Sequence, residues 1–343
     1  MAQINKANEY FNTKLYTGNG STQSITGVNF QPDWVWLKQR SGGSNHRCYD
    51  IVRGATKQIY PNLTNAEVTE ANGLTSFYSD GFTLGNEGGH NQNGQTFASW
   101  NWLAGGTASS NTDGSITSSI SASTTAGFSV VSFTSNNTSG ATIGHGLGVA
   151  PSMVIIKRRS SSEDWGVGHQ SLGWTKFIRL NTDGAEGTST GLWNDTAPSS
   201  TVVTLGNSGI SNPTSGTTMI AYCFAEKKGF SKFGSYVGNG NADGTFVYTG
   251  FKPAFVMMKN ASASATPWFI FDAKRNPSNE TDLKLNPNSS DAESSANPID
   301  ILSNGFKLRT SGSYNNGSGN TLIYMCFAES PLVGTNGVPA TAR

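Results

Sequence analysis

The side chains able to do chemistry are few and scattered. His46, His90, His145 and His169 stand alone, and no two of them fall at metal-ligand spacing. No serine sits in a G-x-S-x-G elbow, and no D-x-[DN]-x-[DN]-G loop offers a calcium cage. Cys48, Cys223 and Cys326 are odd in number and widely spaced, which supports neither a disulfide framework nor a cysteine-rich zinc site. Carboxylates are the one catalytic option left, because a glycosidase needs only two. Asp164, Asp183, Glu186 and Asp195 lie in the middle of the chain, and Asp272, Glu280, Asp282, Asp291, Glu293 and Asp300 near its end, mostly among Asn, Ser and Pro that read as solvated turns. No catalytic residue, cofactor site or metal site is therefore assigned.

The elements that would position these residues are strands. Apolar runs such as Trp34–Leu37, Phe97–Leu103, Phe128–Phe133, Met153–Ile156, Thr217–Phe224, Phe255–Met258, Trp268–Phe271 and Leu322–Phe327 are short, rich in β-branched and aromatic residues, and bounded by turn formers. One short helix is expected, over Asn65–Ala71. Only 13% of the 343 residues are charged and the net charge is +1, so the basic field of a nucleic-acid groove is absent. The first residues show no secretory signal, and no apolar run reaches the length of a membrane span.

The strands recur. FQPDWVWLKQR, VAPSMVIIKRR and FKPAFVMMKN place Pro32, Pro151 and Pro253 six residues before Lys38, Lys157 and Lys259. Roughly 70 residues after each proline comes a closing run, FASWNWLAGG, MIAYCFAEKKG or LIYMCFAESP. The chain is thus expected to be all-β, with three consecutive antiparallel β-sandwich repeats of jelly-roll type at 12–107, 121–228 and 229–330. An N-terminal docking segment (1–11), a Gly/Ser/Thr linker (108–120) and a C-terminal tail (331–343) complete the plan.

Two local features carry further expectations. Gly18-Asn19-Gly20 and Gly238-Asn239-Gly240 have neither a following helix nor a GK[ST] ending, and they read as tight hairpin turns rather than anion cradles. The strands after the prolines are apolar on both faces, so one face fills a sandwich while the other meets a neighbouring domain or subunit, or a long loop of its own. Glu226 and Glu329, closing two CFAE strands, are expected to accept from backbone or from an arginine such as Arg275 or Arg309.

Ser231–Gly240, Asp243–Pro253, Asn304–Arg309, Tyr324–Pro331 and the ending Gly-Val-Pro-x-Thr-Ala-Arg at 337–343 together resemble a family of virion structural proteins of tailed bacteriophages from marine and cyanobacterial hosts. The resemblance covers about 121–343 well and the first repeat loosely, which departs from it at FASWNW and at residues 47–54. It implies a non-enzymatic virion protein, made in the infected cytoplasm, that serves as a tail fibre or tail tip component in host attachment. The alternatives are a capsid decoration or tail adaptor, and a polysaccharide depolymerase. The two-sided apolar strands and the low charge content predict a permanent homo-oligomer; the resemblance favours a trimer and implies other tail or capsid proteins and host surface polysaccharide as partners, without nucleic acid or membrane insertion. Trp165, Trp174 and Trp193 fall in loop-like contexts and are the candidate sugar-contacting residues.

Overall fold

A computed structural model describes residues 3–335, 337 and 339–341; Met1 and Ala2 of the expected docking segment, and Asn336, Val338, Ala342 and Arg343 of the expected tail, lie outside the described residues. Among the described residues the protein is built almost wholly of antiparallel strands, with one short 3-10 turn at Ala7–Glu9 and three four-residue helices.

The same strand order occurs in each third of the chain. In the first, the opening strand Phe11–Thr17 pairs with the closing strand Thr96–Trp102, which pairs with the central strand Trp34–Gln39, which pairs with Arg47–Asp50. Phe128–Thr134, Thr218–Phe224, Met153–Arg158 and Gly166–His169 follow that order in the second, and Ser231–Val237, Thr321–Pro331, Phe251–Asn260 and Phe269–Asp272 in the third. Register matches too, since Trp34 lies opposite Trp102, Met153 opposite Phe224 and Phe255 opposite Phe327.

Alternation across each pleat sends neighbouring side chains to two different cores. Val35 and Leu37 join Ile25, Leu74, Phe82 and Leu84 of a second, three-stranded sheet, whereas Trp34 and Trp36 face the other way into the central core. In the second segment Val154 and Ile156 pack with Ile143 and Val203, while Met153 and Ile155 face the centre.

At that centre the three main sheets meet. Trp34 stacks on Tyr222 with centroids 4.5 Å apart, Phe11 on Phe327 at 5.0 Å, and Phe224 meets Phe327 edge-on at 6.2 Å. Each ring pair joins a different two of the three segments, and such pairs contribute about 0.5–1.5 kcal/mol beyond area burial. The second apolar face of each central strand is therefore covered by other segments of the same chain. That face, on which the expectation of a homotrimer rested, is occupied internally.

Several local expectations are corrected. Asn65–Ala71 contains no helix; Val68–Thr69 instead pairs with Lys57–Gln58. The expected linker carries a strand, Ser109–Asn111, paired with Ser118–Ser123, because Ile116 and Ile120 bury themselves in the second core. Residues 3–11 are not a free arm: Ala7 and Phe11 are buried in the central core, and Asn5 donates to Thr335 Oγ1 at 2.7 Å.

The Asn-Gly segments are not hairpin turns either. Each leads out of an opening strand whose partner is the distant closing strand, and each is pinned by a buried asparagine. Asn91 accepts from the Asn19 N–H at 3.0 Å and Asn316 from that of Asn239 at 3.1 Å; at the matching place in the second segment, which has no Asn-Gly, Asn212 accepts from the Asn136 N–H at 2.9 Å. Glycine is required at 18 and 238 by close approach, because a Cβ there would lie 2.3 Å from the carbonyl oxygens of Gln92 and Gly317.

Candidate functional site: the seams between the sheets

Of the three tryptophans expected to meet sugar, two are fully buried. Trp165 lies flat over Tyr222 and donates its indole N–H to the Tyr60 carbonyl at 2.9 Å; Trp193 sits in the second core. Neither offers a ring face to a ligand. Trp174 is half-buried and meets Trp193 edge-on at 5.6 Å, both indoles closing over Gly168, whose lack of a side chain makes the room.

Several of the candidate carboxylates are likewise committed to structure. Asp272 pairs with Arg275 at 2.5 Å and accepts from the Trp100 indole at 3.1 Å; Glu293 receives two bonds from Arg40, at 2.8 and 3.0 Å, and one from Arg275. Asp282 bonds Asn276 and Ser295. Glu226 and Glu329 pair with Lys232 and Lys252, not with the arginines expected. Among the described residues no group of three His, Cys, Asp or Glu side chains is placed to hold a metal ion, and the three cysteines are buried and free.

What the fold does assemble is a set of matched polar contacts at the seams. His46, Trp165 and Trp268 each donate their main-chain N–H to the side-chain oxygen of Asn62, Asn181 and Asn288, at 2.9–3.0 Å. Each ring then reaches into the neighbouring segment, to the main-chain oxygens of Asn286, Tyr60 and Arg179 at 2.9–3.0 Å. First meets third, second meets first, and third meets second.

Lysines repeat that circuit. Lys38 donates to the Ser290 oxygen at 3.1 Å, Lys157 to Thr64 at 2.9 Å and Lys259 to Asp183 at 3.5 Å, each also bonding a carbonyl of its own segment. All three are at most 1% exposed. Burial pushes each ammonium down to about 8. Two residues beyond each lysine, the main-chain oxygens of Arg40, Arg159 and Ala261 accept from the N–H groups of Glu293, Glu67 and Glu186 at 2.8–2.9 Å.

Charge breaks the match at one seam. Arg159 forks onto Glu67 with two bonds of 2.9 Å, as Arg40 does onto Glu293, but the third position is Ala261, and Glu186 turns to Lys176 of its own segment. A second substitution lies nearby. Asp50 accepts from Tyr222 at 2.8 Å and Asp272 from Trp100, but the matching residue of the second segment is His169, which meets the Tyr324 carbonyl at 3.2 Å.

Reading the sequence missed these contacts, although a signal was present: Asn62/Glu67, Asn181/Glu186 and Asn288/Glu293 share a five-residue spacing. The outer surface carries a separate feature. Phe246 and Tyr248 point outward from the strand Phe246–Tyr248 and are 44% and 57% exposed.

Fold and seams define an all-β protein whose three sheets close around one aromatic core within a single chain. The chain belongs to the family described as a domain of unknown function (DUF7483), whose model matches residues 6–331. No curated protein matches it.

Proposed function

We propose that this protein is a structural component of a bacteriophage particle, a tail fibre or tail tip element that contacts the host surface, built of three consecutive β-sandwich repeats. The observation that carries the reading is the cyclic set of seam contacts. A chain that closes three similar sheets into one body supplies by itself the three-fold form that tail appendages otherwise obtain by oligomerising. Buried lysines, asparagines and carboxylates engaged in scaffold bonds suit a rigid, protease-resistant particle element better than a reaction centre. The sequence resemblance to virion proteins points the same way.

Contact with host polysaccharide falls to Phe246 and Tyr248 in this reading, not to the buried tryptophans. By strand register their counterparts are Ser24 and Thr26 in the first repeat, and Thr142 and Gly144 in the second. The scaffold thus needs no ring at these places, and an exposed ring beside polar groups is suited to stacking on a sugar face. A glycan array probed with the purified protein tests this. Tyr248→Ala is expected to weaken binding at least severalfold without loss of stability. No binding by the wild type would favour the decoration or adaptor role, and release of reducing ends from a polysaccharide would reopen the depolymerase.

A further inference from the structure

Two neutral histidines join the third segment to its neighbours. His169, in the second segment, accepts the Ser171 N–H at Nδ1 (3.1 Å), so its proton resides on Nε2, which donates to the Tyr324 carbonyl of the third segment at 3.2 Å. His46, in the first, accepts the Trp36 indole N–H at Nδ1 (2.8 Å) and donates from Nε2 to the Asn286 carbonyl of the third at 3.0 Å. Both residues are 0% exposed. A second proton on either ring would point Nδ1–H at another N–H donor.

The surroundings offer an imidazolium no relief. The charges acting on His46 are those of Lys38, Arg275 and Arg47, all cationic, and they add to burial in holding it well below the ordinary imidazole range. His169 meets no ionised group; burial pushes it down to about 4 against the opposing pull of the Tyr324 carbonyl. The Tyr324 phenol beyond that carbonyl is itself pushed up by burial and stays neutral. The other two histidines lie within single segments, His90 beside Glu87 at 2.8 Å and His145 between Leu147 and Ser199. The first–second seam has Trp165, Tyr222 and the Arg159–Glu67 fork in the matched places, and no histidine.

We propose that the molecule contains an acid-operated seam: protonation of His169 parts the third segment from the second, protonation of His46 loosens the third from the first, and the first–second seam holds. The second–third seam opens first because it lacks the Arg–Glu fork present at the other two. Below about pH 6.5 each histidine that gains a proton only on opening raises the open-to-closed ratio about tenfold per pH unit. For His169 that amounts to about a hundredfold by pH 4.5.

Hydrogen–deuterium exchange of the full chain at pH 7.5 and 4.5, corrected for the intrinsic pH dependence of exchange, tests it. The expected result is exchange faster by tens of fold around residues 166–172 and 321–327, with residues 59–67 unchanged. His169→Gln, whose amide keeps a donor and an acceptor but does not titrate, should remove the acid response at the second–third seam while leaving exchange at pH 7.5 as in the wild type. Equal exchange at the two pH values, an equal rise at all three seams, or an undiminished response in His169→Gln would each overturn the proposal. Should that variant fail to fold, NMR titration of the wild-type imidazoles decides: His169 titrating in the closed protein with an ordinary midpoint of about 6.5 overturns it, and a midpoint near the onset of opening supports it.

Discussion

Lys157 of the second segment donates from a buried ammonium to the main-chain oxygen of Thr64 in the first, at 2.9 Å, and to that of Glu163 in its own hairpin at 2.8 Å. One side chain thereby closes a turn and a seam together. Lys157→Met would leave both oxygens without this donor, at about 1–3 kcal/mol for each left unpaired, and would regain part of that by no longer burying a charge. A net loss of about 2 kcal/mol is expected, seen as a lower urea midpoint at unchanged slope. Lys259→Met should cost less, because its bond across the seam is 3.5 Å long. Wild-type stability in Lys157→Met would show the clasp to be energetically idle.

The Arg159–Glu67 fork should be worth more than an ordinary surface pair. Both side chains are mostly covered, at 18% and 13% exposure, and the geometry is bidentate. Burial pushes the Glu67 carboxyl up, but bonds from Arg159 and the charge of Arg53 outweigh it and hold the group below its usual value. A double-mutant cycle with Arg159→Ala and Glu67→Gln is expected to give a coupling of about 1.5–3 kcal/mol. The corresponding cycle on Lys176 and Glu186, at 39% and 28% exposure, should give under about 1 kcal/mol.

Strand class, the central and closing strands and their two-sided apolar character were legible because period-2 patterning and β-branched content are properties of short windows. The partner of the second face was not, since Trp34 meets Tyr222 across 188 positions of sequence and nothing local names it. The lysines were visible as markers of spacing, yet their role depends on carbonyls in another segment, and a main-chain acceptor leaves no trace in residue type. Trp165 and Trp193 misled for a related reason. Gly and Ser neighbours made their contexts look like exposed loops, whereas Gly166 and Gly168 make room for packed side chains, the Trp174 and Trp193 indoles among them.

The buried lysines predict an unusual alkaline response. With folded values near 8 and ordinary values near 10.4, the unfolded chain holds protons that the native protein has released, so stability rises with pH across that window. Each lysine contributes at most about 1.4 kcal/mol per pH unit. The buried thiols of Cys48, Cys223 and Cys326, pushed up by burial, oppose the trend from about pH 8.5, and tyrosines such as Tyr324 oppose it above about pH 10. Unfolding free energy should therefore rise less steeply from pH 8 to 9.5 than three lysines alone would give, and Lys157→Met should lower the slope by up to about 1.4 kcal/mol per pH unit. An equal slope in the wild type and Lys157→Met over this interval would contradict it.

The asparagine locks give the sharpest test of how the crossovers are held. Asn316 is 0% exposed; its side-chain oxygen accepts the Asn239 N–H at 3.1 Å, and its amide group donates to Asn239 Oδ1, Asn241 O and Thr310 O at 2.7–2.9 Å. Donor and acceptor ends are both required, so the two conservative changes should differ. Asn316→Ala loses all four bonds and leaves space that water can enter from the adjacent exposed turn, at an expected cost of about 2–3 kcal/mol. Asn316→Asp keeps the size and the acceptor but turns a carboxylate toward three oxygen acceptors. To fold, that carboxylate must hold a proton, and only one of the three oxygens then receives a bond. Its folded pKa is accordingly raised above that of the unfolded chain. By linkage the stability of Asn316→Asp is then greatest below the ordinary Asp value of about 3.9 and declines as pH rises through the window between the two, opposite in sign to a paired carboxylate. At pH 7 Asn316→Asp should be less stable than Asn316→Ala, with the gap narrowing toward pH 4. Urea midpoints of the two variants at both pH values read this directly, and a more stable Asp variant at pH 7 would mean that the amide donors do not hold the turn.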